Sequence, residues 1–163
     1  MQWRDFPPTW GSPRRGFMLP RIVRPEQLRG FRLSKHDHCR LALLSAPCDG
    51  SDARCDPAAS PSLFLEIHDP CDRVPSHAHH RAAELFFVLR GTVIFHLDEQ
   101  EISADGGDFV VVPSETLHDL ENPGPQRLYL LTVLSRDEGF AELLEHGIPT
   151  PLDAEDLSVL RTL

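Results

Sequence analysis

His77 and His79 stand two residues apart, Glu84 follows five residues later, and His118 lies beyond a further apolar stretch. Imidazole nitrogens and a carboxylate oxygen are ligands for divalent transition metals such as Fe, Mn, Ni, Cu or Zn. If residues 75–80 form a strand, alternate side chains share a face. His77 and His79 then point together, and Ser76, Ala78 and His80 point away. Glu84 opens an apolar strand over residues 85–89, and pairing of that strand with the first would set its carboxylate beside the two imidazoles. These three groups make most of a divalent-metal site, and His118 supplies a fourth. A cluster of surface histidines with no ligand role stays open as the alternative, since nine His in 163 residues is a high count.

Three strands that carry ligands to one point need a curved or closed sheet. The remaining chain supplies its parts. Residues 39–46 and 63–67 read as strands, and residues 92–97 continue the meander with Val93, Phe95 and Leu97 on one face. His96, on the other face, could line a pocket or sit on the wall. Residues 101–104 form a short strand, and Asp105-Gly106-Gly107-Asp108 has the residues of a turn with positive φ. Residues 109–112 end at Pro113, which fixes the strand end and removes a donor. A turn at 122–125 leads into a long strand over 127–134. Many short strands separated by turn signals fit a sandwich or barrel. Residues 138–146 read as a helix with Gly147 past its end. Thr150 and Pro151 read as the N-cap and first turn of a second helix.

The spacing HxHxxxxExxxxxxG at His77, His79, Glu84 and Gly91 resembles the first motif of the cupin superfamily. Gly107, Pro113, His118 and Asn122 resemble its second motif. The resemblance covers roughly residues 62–134 and points to the small single-domain, RmlC-like metal-binding cupins. It implies an all-β fold, the cupin double-stranded β-barrel or jelly roll, here with an N-terminal arm and two short C-terminal helices. It also implies that His77, His79, Glu84 and His118 are the ligands of one divalent metal. Two positions depart from the pattern: Cys71 and Glu115 stand where the family has turn glycines. A cupin that keeps these residues and uses no metal is the alternative within the family.

The length suits one domain, divided here into a basic arm (1–34), the barrel (35–135) and the C-terminal helices (136–163). Net charge is −9, yet residues 1–35 carry +6 and the remainder −15. A basic arm beside an acidic body is expected to lie on that body or on a second copy. An acidic body repels phosphate, which argues against nucleic acid. No apolar run approaches a membrane span, and the N-terminus has no continuous apolar segment of a secretory signal, so a cytoplasmic location is expected. Cys39, Cys48, Cys55 and Cys71 form no CxxC pair and are expected to be free thiols, with Cys39 a small buried hydrophobe. Trp3, Phe6, Trp10 and Phe17 imply that part of the arm packs. Residues 47–61 form a long loop that is either mobile or a pocket rim.

The strands at 85–89 and 128–134 are apolar on both faces and must be covered on both. The barrel interior covers one face, and the second sheet, the arm, the C-terminal helices or a partner subunit covers the other; a homodimer that buries one of these faces, with the arm crossing over, is expected. For the activity, the resemblance points first to a dioxygenase-like oxidoreductase acting on small enolic or phenolic compounds in a pocket lined by Phe86, Val88 and Phe95, with Glu84 also serving as a base. The alternatives are a metal-dependent isomerase or decarboxylase, a non-catalytic module that binds a sugar or acid, and a metal that only holds strands together.

Overall fold

Apolar residues alternate along most of the strands, and the sheets they form close around those residues. The computed structural model describes residues 22–46, 56, 59–98 and 100–162. Within them run β1 (Gly30–Arg32), β2 (Arg40–Ser45), β3 (Ser62–His68), β4 (Glu84–Arg90), β5 (Thr92–Leu97), β6 (Gln100–Asp105), β7 (Phe109–Val112), β8 (His118–Glu121), β9 (Leu128–Leu134) and β10 (Ile148–Pro149). The strands pair antiparallel in two sheets, one ordered β10-β1-β2-β3-β9-β4-β7 and one ordered β6-β5-β8. This is the all-β jelly-roll fold expected. Trp3, Phe6, Trp10 and Phe17 of the arm and most of the 47–61 loop, including Cys48 and Cys55, lie outside the described residues. Three arm residues, Gly30–Arg32, form β1 and pair with both β2 and β10.

The two sheets meet through their inner faces. Phe86 and Val88 of β4 pack on Val93 and Phe95 of β5, all at most 1% exposed. The rings of Phe86 and Phe95 have centroids 4.9 Å apart. Each such side chain contributes about 1.5–3 kcal/mol by leaving water. Gly91 turns β4 into β5 at φ 101°, and a Cβ there would meet the Leu128 Cα at 3.2 Å, so position and backbone both call for glycine.

The C-terminal elements cover other faces. Helix α1 (Phe140–Glu145) closes one end, with Leu144 and Phe140 against Phe31, Leu41 and Phe64. Buried Asp137 caps it by accepting from the amides of Gly139 and Ala141. Helix α2 (Ala154–Thr162) lays Val159 on Ala42, Leu65, Ile67 and Tyr129 of the large sheet. A charged joint locks it there: Arg40 and Arg127 both donate to Asp156, which also accepts from the Tyr129 hydroxyl at 3.1 Å. Burial, followed by the field of Asp156, pushes the Tyr129 phenol well up.

Three local expectations change. Residues 75–80 do not form a strand; His77 alone makes an antiparallel bridge, and its partner is His118. β4 therefore pairs with β7 and β9, not with the His77 segment. Helix α2 starts at Ala154, capped by Asp153, whose Oδ1 accepts from the amides of Glu155 and Asp156. Thr150 does not cap it: its hydroxyl accepts from Arg32 Nε and donates to Ile148 O, and its amide donates to Gly30 O, continuing the edge pairing of β10.

One outer face stays apolar and open. Phe87 and Phe109 are register partners on β4 and β7, with Val111 beside Leu85. Phe109 and Val111 are 57% and 53% exposed.

Candidate metal centre

His77, His79, Glu84 and His118 come together, with one ligand atom from each lying within 4.8 Å of the others. Glu84 begins β4 and faces inward. His118 begins β8 on the opposite sheet, so the site spans the two walls. His77 and His79 sit on the loop that leads into β4, and two backbone pairs hold that loop. His77 and His118 exchange N–H···O bonds of 2.8 and 2.9 Å, and the Glu115 amide donates to His79 O at 2.7 Å.

The centre is built around one oxygen. Glu84 Oε2 lies 3.0 Å from His118 Nε2, 3.1 Å from His79 Nε2 and 4.0 Å from His77 Nε2. His77 Nδ1 donates to Pro75 O and His118 Nδ1 donates to Thr116 O, each at 2.9 Å. A carbonyl accepts only, so both rings carry their proton on Nδ1 and, when neutral, present a bare Nε2 to the centre. His79 Nε2 is buried without a hydrogen-bond partner of good geometry. Ligand atoms that share one ion at bonds of about 2.1 Å stand about 3.0 Å apart at right angles and about 4.2 Å apart when opposite. The observed spacings fall in that range, so the residues fit a divalent cation.

Burial pushes the Glu84 carboxyl up, but the hydrogen bond from His118 and the His79 imidazole 3.1 Å away outweigh it and hold the group down at about 2. His118 is the reciprocal case. Burial works against its charged form, yet the Glu84 carboxylate raises its proton affinity overall. The four groups are thus prepared for charge of opposite sign.

The centre opens on a cavity of about 560 Å³, within the range of small-molecule sites. Phe64, Phe86, Leu120, Phe140 and Leu143 contribute apolar walls. Phe86 lines this space as expected, whereas Val88 and Phe95 fill the packed core below it. A smaller cavity of about 320 Å³ near Pro25 and Leu152 holds neither His nor Cys. His80 is exposed to solvent, 3.4 Å from Glu115. His96 is on the wall beside Glu101, Asp119 and Glu121.

Two features were not anticipated from the sequence. The positions that depart from the motif, Cys71 and Glu115, hold φ of 60° and 64°. The turns keep the left-handed backbone that glycine normally supplies, and the non-glycine residues bear its steric cost. A second polar cluster also faces the cavity: Cys39, Glu66 and Asp72, with His68 behind them. Its trace in the sequence is Glu66-x-His68 on the inner face of an otherwise apolar strand. Taking that strand to end at 67 left His68 out.

Residues 64–134 match the model of the cupin domain. A 47-residue stretch is 40% identical to quercetin 2,3-dioxygenase of Bacillus subtilis, covering 29% of this chain and 14% of that protein. Over 113 residues the chain is 26% identical to the oxalate-binding protein of Thermotoga maritima, covering 69% of this chain and 87% of that one. Three of the curated relatives are matched over less than half their own length. Among solved structures, a predicted oxalate decarboxylase from Thermotoga maritima superposes with a TM-score of 0.56 at 20% identity, covering 70% of this chain and 97% of that one, a likeness of fold. With the two-sheet barrel and the matched model together, residues 64–134 are a cupin domain.

Proposed function

We propose that His77, His79, Glu84 and His118 hold one divalent transition metal and that the protein is a dioxygenase-like oxidoreductase acting on small phenolic or enolic compounds. The observation that carries this reading is the convergence of three imidazole Nε2 atoms on one Glu84 oxygen at the wall of a largely apolar cavity. A bound redox-active ion supplies polarisation of a chelating oxygen and activation of dioxygen. The chain's own residues do the rest. Phe64, Phe86 and Leu120 exclude water and take a planar apolar body. Pro75 O and Thr116 O hold the His77 and His118 rings in the orientation that aims Nε2 inward. Glu84, ionised across the ordinary pH range, accepts the proton that a substrate hydroxyl gives up.

Metal content by plasma mass spectrometry on untagged protein, followed by oxygen-electrode screens with phenols and enols, tests this. About one equivalent of Fe, Mn, Ni or Cu, lost in a Glu84→Ala, His118→Ala variant and accompanied by oxygen uptake, is expected. Normal turnover by a metal-loaded Glu84→Gln variant would remove the base role.

A second reading is a non-catalytic module that binds a small acid, favoured by the match to the oxalate-binding protein over most of that protein's length. Tight zinc, measurable acid binding and no oxygen uptake would select it. We also propose a cytoplasmic location, which the free thiols of Cys39 and Cys71 suit. No described helix is long and apolar enough to cross a membrane.

The open apolar face of β4 and β7 is the proposed surface of a homodimer. Light scattering is expected to give twice the chain mass at micromolar concentration, and a Phe109→Asp, Val111→Lys variant is expected to give one chain mass. A wild type of one chain mass overturns the dimer.

A further inference from the structure

We propose that Cys39, Glu66 and His68 form a second metal site in the same barrel, one that takes a thiophilic divalent ion such as zinc, cobalt or cadmium. It is separate from the His77–His118 centre and shares none of its residues.

Three donor atoms of three chemical types lie within 4.8 Å of one another. His68 Nε2 is 3.6 Å from Cys39 Sγ and 3.2 Å from Glu66 Oε2. Bonds of about 2.0–2.3 Å at tetrahedral angles separate N from S by about 3.6 Å and N from O by about 3.3 Å. The cluster is therefore already spaced as ligands of one tetrahedral ion, with the fourth position turned to the cavity that Cys39 and Glu66 line.

The residues behind these three are arranged as supports. His68 Nδ1 faces Asp72 Oδ2 at 3.2 Å, which fixes the ring and leaves Nε2 as the inward atom. Carboxylate-backed imidazoles of this kind orient and strengthen a metal ligand. The Thr132 hydroxyl donates to Glu66 Oε1 at 2.5 Å, which holds the other oxygen toward His68. Asn122 donates to His68 O at 3.2 Å and anchors the strand end. Both His68 and Thr132 are fully buried, so the geometry is held by the core rather than by a loop.

A single His68 Nε2 proton faces two acceptors, Glu66 and Cys39. In the metal-free state that proton holds the cluster together. Ion entry balances without a change of net charge: the Cys39 thiol proton and the His68 Nε2 proton leave to solvent, and one dication takes their place. That balance is what a buried site requires, because an uncompensated charge there is costly. A thiolate ligand selects against Mg and Ca and in favour of softer ions, whereas the His77–His118 centre has no sulfur. The two sites differ in the ion they prefer.

Cobalt(II) titration of the chelator-stripped, reduced full chain tests the site, because only a thiolate ligand produces sulfur-to-cobalt charge-transfer absorption. Two equivalents are expected to bind, with the charge-transfer band growing as one of them fills. Cys39→Ser is expected to lose the band and one equivalent, keeping the other. The Glu84→Ala, His118→Ala variant is expected to keep the band and lose the other equivalent, so failure of the first centre is read separately. Asp72→Asn is expected to weaken the band-forming site by about 10–100-fold.

No band in folded wild type, or a band that survives Cys39→Ser, overturns the proposal. Should Cys39→Ser not fold, alkylation of the wild type decides. Cobalt is expected to protect Cys39 and leave Cys71 reacting as before. Equal alkylation of Cys39 with and without cobalt overturns the site.

Discussion

Two histidine clusters share one cavity, and they solve the burial of polar groups in opposite ways. Around Glu84, three imidazoles are held by backbone carbonyls or loop pairing so that their Nε2 atoms crowd one carboxylate oxygen, and His79 Nε2 is left without a hydrogen-bond partner. Around His68, one imidazole lies between Asp72 and Glu66, with Thr132 completing the second carboxylate. The first cluster has more lone pairs than protons to share among them. The second satisfies itself with a proton. An unsatisfied buried donor set gains most from a cation, while a satisfied one contributes most to the stability of the empty fold. Adjacent sites can thus be specialised, one for ligand capture and one for holding the barrel together until a softer ion displaces its protons.

Substitutions separate the two roles. The largest expected effect is on stability at the second cluster. Asp72→Ala leaves the buried His68 imidazolium with one carboxylate fewer, and about 3 kcal/mol of unfolding free energy is expected to go, read by urea denaturation of the metal-free protein. At the first cluster His77→Ala is expected to cost only about 1 kcal/mol, because that ring is partly exposed at the cavity rim, yet to abolish tight binding of the first ion. Equal destabilisation by the two changes would break the comparison. Next in size is stabilisation by metal. Loading the first centre to 100 times its dissociation constant is expected to add about 2.7 kcal/mol, and none in the Glu84→Ala, His118→Ala variant.

The response to pH comes third. At His68, burial opposes the charged ring, but Cys39, Asp72 and Glu66 outweigh it and raise its proton affinity well above the ordinary value of 6.5. His118 is raised for the reason given above. Groups raised on folding contribute stability that is complete below the unfolded value and is lost as pH rises through the folded one. The Glu84 carboxyl, held down at about 2 from an ordinary 4.5, contributes stability that is lost as pH falls through that lower value. The metal-free protein is therefore expected to be most stable between about pH 4.5 and 6.5. Glu66→Gln is expected to flatten the alkaline side of a Tm-against-pH curve and leave the acid side unchanged. The smallest effect concerns the loop that carries the first centre. Glu115→Gly removes a left-handed non-glycine and is expected to add about 1 kcal/mol; a loss of stability would show that the His80–Glu115 pair outweighs the strain.

Read along the chain, the short-period pattern foretells a great deal. Residues 92–97 and 109–112 are strands as read, and Glu84 opens β4, because apolar alternation and turn residues act over a few positions and need no tertiary information. The spacing of His77, His79, Glu84, Gly91, Pro113 and His118 is equally local, and with it the family is legible. What the sequence could not settle depends on which strand lies beside which. His77 pairs with His118 rather than with β4, since the bridge to β8 fixes that loop and no periodicity encodes a bridge of one residue. Thr150 looks like a helix cap, but β1 engages its hydroxyl through Arg32 and its amide through Gly30, and Asp153 takes the role. Cys39 reads as a small hydrophobe, and His68 as the residue after a strand. The antiparallel pairing of β2 on β3, with Arg40 opposite Ile67, sets the thiol beside the imidazole and Glu66. Residues 29 positions apart meet there because the long connection between the two strands lets them pair in that register.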